Sequence, residues 1–197
     1  NFDDQLIMHV KVSEYLKSNG GKLYFFSTTN VFDKDLERPH YEDDVPCSCT
    51  DYGNFKIKCE KRITMMLHDN ACILRIPAVW GKNSPRMNNL LDLLRNNKQI
   101  VVYPELFINV NTDTMIERQL FYIIKNDMKG IFHLASESPI NWKYFYAELI
   151  KNLGCSNADI EESSDEKGYF VLLSKRRDEF PEYLRQTGKS VIDCTTG

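Results

Sequence analysis

Apolar residues along this chain change period repeatedly, and each change marks an element. Over residues 4 to 18, Leu6, Ile7, Val10, Tyr15 and Leu16 recur at close to helical spacing. Asn19-Gly20-Gly21 closes that run with the glycine a helix C-terminus favours. Lys22 to Ser27 is instead short, continuous and aromatic-rich, the composition of a strand buried on both faces. Residues 33 to 49 are acidic and interrupted by Pro39 and Pro46, which predicts a loop able to cover a substrate. A second helix is expected from Tyr52 to about Leu67.

The alternation continues. Ala71 to Ile76 predicts a strand closed by Pro77, and Ser84-Pro85 opens a helix through about Asn96, with proline in its favoured first turn. Ile100 to Tyr103 reads as a short strand. Thr114-Met115-Ile116-Glu117 fits a capping box, which predicts a helix to about Lys125, and Gly130 to Leu134 a further strand. Ile140 to Leu153 is expected to be helical, with Trp142, Phe145, Leu149 and Leu153 on an apolar stripe that belongs to the core. Strand and helix in alternation predict a parallel α/β sheet with right-handed crossovers. The last third has an acidic stretch, Asp159 to Glu166, and a short strand, Tyr169 to Leu173, and is expected to form a smaller α/β lobe. The division expected is residues 1–136 for the sheet domain, with lobe segments interleaved, and 137–197 for the lobe and a polar tail that frays from Thr187.

Composition narrows the function classes. With 197 residues and 42% hydrophobic content the chain can bury a real core. A net charge of −3 with scattered lysines argues against nucleic acid as the main partner. No stretch is long and apolar enough to span a bilayer, and the opening residues do not read as a signal peptide, so a cytoplasmic protein with no membrane partner is expected. The six cysteines lack paired Cys-x-x-Cys spacing, and no metal is expected.

Tyr52 and Lys56 are four residues apart, so one helix face would carry a phenol beside an ammonium. Tyrosine near pKa 10 is a poor acid at neutral pH, and a neighbouring cation that favours the phenolate makes it a usable proton donor. Ser27-Thr28, at the end of the predicted strand, places hydroxyls where they can complete such a site. Five segments then resemble, in order, the extended short-chain dehydrogenase/reductases, and most closely their dTDP-4-dehydrorhamnose reductase group. They are Phe26-Ser27-Thr28-Thr29-Asn30-Val31-Phe32-Asp33, Tyr41 to Pro46, Tyr52-Gly53-Asn54-Phe55-Lys56 with Glu60, Ile73 to Gly81, and Gly130 to Ala135.

The resemblance implies a Rossmann-like sheet and reduction of a keto group on a nucleotide sugar by NADH or NADPH. It assigns Thr28, Tyr52 and Lys56 as catalytic, and Ser27, Tyr52, Lys56, Pro77 and Val79 to the cofactor. Thr29, Asn30, Val31 and Trp80 fall to the sugar, and a homodimer is compatible. The chain departs from that pattern at Thr29-Asn30, Lys34, Ser48-Cys49 and residues 102–107, which are substrate-side positions. It also has no strand, glycine-rich turn and helix to hold a pyrophosphate, since its first glycines, Gly20 and Gly21, sit at a helix end. The expectation is an enzyme whose first βαβαβ half, on the order of 80 to 100 residues, lies outside this sequence. Two alternatives stay open: an epimerase of the same superfamily, and a noncatalytic subunit that keeps the fold and pocket.

Overall fold

The computed structural model describes residues 1–155 and 157–197. Helix α1 (Phe2–Asn19) is capped by the Asn1 side chain and ends at Gly20, whose φ of 66° is the left-handed conformation that favours glycine. Strand β1 (Leu23–Thr28) follows, then helix α2 (Asp51–Leu67), β2 (Ala71–Ile76) and, later in the chain, β7 (Gly130–His133). These strands form a parallel sheet in the order β1-β2-β7, with Ser27, Arg75 and His133 side by side across it.

Period-two alternation gives the sheet two buried faces. Phe25, Ala71 and Ile73 pack under Phe55, Cys59, Ile63 and Leu67 of α2. On the other face Cys72, Leu74 and Phe132 pack against Met115 and Ile123 of helix α4 (Asp113–Lys125), and against Phe180 and Leu184.

A second core is assembled from much shorter pieces. Strand β3 (Ala78–Trp80) pairs parallel with β6 (Val110–Thr112), and β4 (Ile100–Val102) with β9 (Ile160–Glu162). Strand β5 (Leu106–Ile108) lies between parallel β10 (Gly168–Phe170) and antiparallel β8 (Ile140–Asn141). Helices α3 (Pro85–Arg95), α5 (Trp142–Asn152) and α6 (Gly188–Thr196) complete the region, burying Trp80, Met87, Leu90, Val110, Phe145, Leu149 and Val191 together.

Three expectations are corrected. The N-cap of α4 is Thr112, whose side chain accepts from the Met115 amide; Thr114 already lies inside the helix, so the Thr114–Glu117 pattern is not the cap. The tail does not fray: Thr187 and Ser190 form a reciprocal capping box, and Val191 and Ile192 bury α6 in the core. Strands β3, β5, β6 and β9, of three residues each, were not expected, and Ile140–Asn141 forms strand β8 where a helix was expected from Ile140, so that α5 begins at Trp142.

Candidate active site

The C-terminal end of β1 and the start of α2 are built against each other. Thr28 ends the strand, accepts from the Asn30 amide at 3.3 Å and donates to Asn30 Oδ1 at 3.0 Å, opening a 3-10 turn over Thr29–Phe32. The Thr29 hydroxyl donates to the Ile76 carbonyl at 3.3 Å, tying that turn to the end of β2. Thr50 caps α2 by accepting from the Gly53 amide at 3.1 Å, and its hydroxyl donates to the Asp33 carboxylate. Gly53 is needed for closeness: a Cβ there would collide with the Asn30 carbonyl oxygen and Ser48 Oγ. Gly53 thus brings the first turn of α2 against the strand-end turn, and the Tyr52 ring lies 6.2 Å from that of Phe2 on α1.

Tyr52, Lys56 and Glu60 succeed one another at four-residue steps of α2. The Lys56 ammonium donates to the Phe26 carbonyl at 2.8 Å, and lies 4.6 Å from the centre of the Phe25 ring and 5.9 Å from that of Tyr52. Burial pulls the Lys56 pKa below its ordinary value, opposed by Cys59 and Glu60. Tyr52 is 41% exposed and its hydroxyl has no hydrogen-bond partner among the described residues, so the phenol proton is free for another acceptor.

One further step along, Glu60 receives Nε and Nη2 of Arg75 at 3.1 and 2.8 Å and the Ser27 hydroxyl at 2.5 Å. Arg75 Nη1 donates to His133 Nε2 at 3.3 Å, and His133 Nδ1 donates to the Leu173 carbonyl at 2.7 Å. The loop over residues 33–49 is anchored to the same network. Glu42 accepts from the amides of His133 and Lys175 at 3.3 and 2.9 Å and from the Ser174 hydroxyl.

Between the sheet and the second core lies a cleft of about 490 Å³. Thr28, Thr29, Asn30 and Pro77, all named as site residues from the sequence, line it. Other expected residues lie elsewhere. Ser27 is buried and its hydroxyl is taken by Glu60, while Val31 is fully buried against Phe32, Ile57 and Leu172. Trp80 is 1% exposed and meets Phe145 and Tyr146 edge-on, which makes it a core residue. Val79 is outside the lining, where Ala78 takes part instead. Tyr52 and Lys56, also expected at the site, are not in its lining, which includes Thr50 from the cap of their helix.

The sequence reading missed Asp33, Cys49, Arg86, Trp142 and Glu166, all of which line the cleft. For Asp33 and Cys49 a signal existed, in the acidic proline-broken loop expected to cover a substrate. Arg86, Trp142 and Glu166 arrive through the packing of the second core, which no local pattern announces.

Comparison with known proteins agrees with this architecture. A Streptomyces niveus protein named dTDP-4-keto-6-deoxy-D-glucose reductase is 22% identical over 122 residues, 61% of this chain and 42% of that protein. The chain thus matches under half the length of this curated relative. The crystal structure of dTDP-4-dehydrorhamnose reductase from Bacillus anthracis in complex with NADP superposes with a TM-score of 0.83 at 17% identity, over 95% of this chain and 69% of that one. The structure of UDP-glucuronic acid 4-epimerase from Bacillus cereus in complex with NAD gives a TM-score of 0.78 at 15% identity, over 96% of this chain and 65% of that one. These likenesses show a shared Rossmann-like fold. Residues 6–196, nearly the whole sequence, match the family model described as RmlD substrate binding domain, and the chain belongs to that family.

Proposed function

We propose that this chain carries the catalytic residues of an NAD(P)H-dependent reductase acting on the keto group of a nucleoside-diphosphate sugar, of the dTDP-4-keto-6-deoxy type. The observation that carries this reading is that Thr28 ends a parallel strand and lines a cleft, while α2, the helix of Tyr52 and Lys56, is tied to that strand by the Lys56–Phe26 hydrogen bond. The Streptomyces relative's name supplies the substrate class, and the Bacillus anthracis structure supplies the cofactor class.

Each residue has a physical task. Tyr52, with its hydroxyl unpartnered, gives its proton to the carbonyl oxygen as negative charge develops there. The Lys56 charge favours the phenolate left behind. Thr28, held at the strand end, turns its hydroxyl from Asn30 to the same oxygen and fixes the carbonyl's direction. Thr29 and Asn30 form the adjoining wall.

The residues present fit the nicotinamide and ribose end of the cofactor. Lys56 uses one of its three N–H donors on Phe26, leaving two for ribose hydroxyls, and Pro77 lines the cleft beside them. When bound, the cofactor supplies the hydride. No glycine-rich turn for its pyrophosphate occurs in these 197 residues, and among the described residues β1 is an outer strand of its sheet.

The test is to follow nicotinamide absorbance with dTDP-4-keto-6-deoxy sugars, using this chain and any longer natural form of it. Net oxidation of NADPH or NADH that drops about 10²- to 10⁴-fold in Tyr52→Phe, with cofactor still bound, supports the reductase. Sugar interconversion without net cofactor consumption would mark an epimerase. Absence of both reactions in every form would remove the enzymatic reading.

A further inference from the structure

The lining of the cleft contains a single cation, Arg86. It stands in the first turn of α3, exposed, and among the described residues no Asp or Glu oxygen comes within 4.0 Å of its guanidinium. By contrast, Asp33, on the same lining, already accepts from the Cys49 amide and the Thr50 hydroxyl. Glu166 is the other acidic group of the lining.

Two neighbours give the Arg86 end of the cleft its chemistry. Trp142 lines the cleft, and its indole N–H is buried without an acceptor among the described residues. A buried donor left unpaired is costly, so a ligand that brings an acceptor recovers that cost. Tyr146 stacks on Trp142 at 5.1 Å and lies near enough to Arg86 for the guanidinium to pull its phenol pKa down, against the larger upward push of burial. One cleft is thus lined by a guanidinium without a carboxylate partner and by an indole N–H without an acceptor, the indole backed by a stacked tyrosine.

The named relatives differ in base and in sugar, dTDP in one and UDP in another, and share the diphosphate. That is the part of such a ligand that carries full negative charge, and a planar guanidinium can hold two of its oxygens at once. We propose that Arg86 is the residue that recognises the substrate's diphosphate, with the Trp142 N–H as a second donor. This deepens the nucleotide-sugar reading and rests on it. Thr28 then meets the keto end of the ligand and Arg86 the anionic end, so the cleft selects a sugar by its activating group as well as by its carbonyl.

The experiment is a calorimetric titration of the chain with dTDP, UDP, inorganic pyrophosphate and thymidine. The variants are Arg86→Gln, Arg86→Lys, Trp142→Phe and, as a cation outside the cleft, Lys82→Gln. Arg86→Gln is expected to weaken dTDP and UDP about 10- to 100-fold, the range of a hydrogen bond to a charged group. Arg86→Lys should recover part of that loss, since it restores charge without the fork. Trp142→Phe should weaken both ligands by a few-fold, on the order of one neutral hydrogen bond, and Lys82→Gln should match the parent. Thymidine should not distinguish parent from Arg86→Gln. Unchanged binding of both diphosphates to Arg86→Gln overturns the role of Arg86 and leaves the reductase reading intact. A parent that binds neither diphosphate strikes the nucleotide-sugar reading itself, and this inference with it.

Discussion

The two cores of this molecule, both packed with apolar side chains, differ in the polar groups they enclose. Around β1, β2 and β7, the face under α2 hides an ion pair between Glu60 and Arg75, 6% and 1% exposed, flanked by Ser27 and His133. The second core hides Trp80, Met87, Leu90, Phe145 and Leu149, and the polar side chains buried with its short strands are uncharged, Asn109 and Asn111 donating to the Leu172 and Leu134 carbonyls. The difference teaches where precision is needed. Apolar packing tolerates volume-conserving exchange, whereas a bidentate pair fixes direction as well as distance. Glu60 shares the stripe of α2 that carries Tyr52 and Lys56, so the pair sets that helix against the strand ending at Thr28.

The largest effect is expected of Arg75→Met. It leaves the Glu60 carboxylate buried without its partner, and a loss of about 3–5 kcal/mol in urea unfolding is expected. Adding Glu60→Leu should return most of it, because replacing both charges removes the stranded one. A double variant no better than the single would show that geometry rather than charge balance governs this face.

The second core should respond to lost volume alone. Leu149→Ala is expected to cost about 2–5 kcal/mol, since the site is fully enclosed and a cavity remains. Leu149→Met, similar in volume, should cost under about 1.5 kcal/mol. Denaturant midpoints of the pair check this, and a large loss with methionine would mean the second core is as exacting as the first.

Acid distinguishes the two regions again. Burial, with Arg75 acting in the same direction against Glu42, pushes the His133 pKa from its ordinary 6.5 down to about 4. Between those values the unfolded chain takes up a proton that the native chain refuses, so stability falls as pH drops from 6.5 toward 4. His9, also lowered chiefly by burial, acts in the same direction. Urea midpoints at pH 7 and pH 5 should differ, and the difference should shrink in His133→Gln. An equal drop in that variant would assign the acid sensitivity elsewhere.

The same contrast explains what the sequence disclosed. Helix α2, the six-residue strands β1 and β2, and the Gly20 terminator were legible because each is long enough, or chemically distinct enough, to declare itself locally. Tyr52 and Lys56 stood out by their spacing and Thr28 by its place at a strand end, and in the structure Lys56 bonds to the Phe26 carbonyl of β1. Trp80 and Val31 misled because an aromatic or aliphatic side chain beside a site motif looks the same whether it faces a ligand or the core. Arg86 escaped notice and Trp142 was assigned to the core stripe, because two helices far apart in sequence bring them to one cleft.

The smallest effect concerns the C-terminal helix. A polar tail reads as solvated chain, yet the side chains of Thr187 and Ser190 satisfy each other's backbone amides at 3.2 and 2.9 Å, and this fixes where α6 begins. With that start fixed, Val191 and Ile192 turn onto β6 and α5, and Asn152 of α5 donates to Thr196 at 3.2 Å. Thr187→Ala is expected to cost about 1 kcal/mol of global stability, the usual value of an N-cap, and Thr187→Ser much less. If α6 only frayed beside the second core, removing its cap would leave global unfolding unchanged and would speed amide exchange in residues 188–196 alone. A shift in both would show that the last helix belongs to the cooperative unit that forms one wall of the cleft.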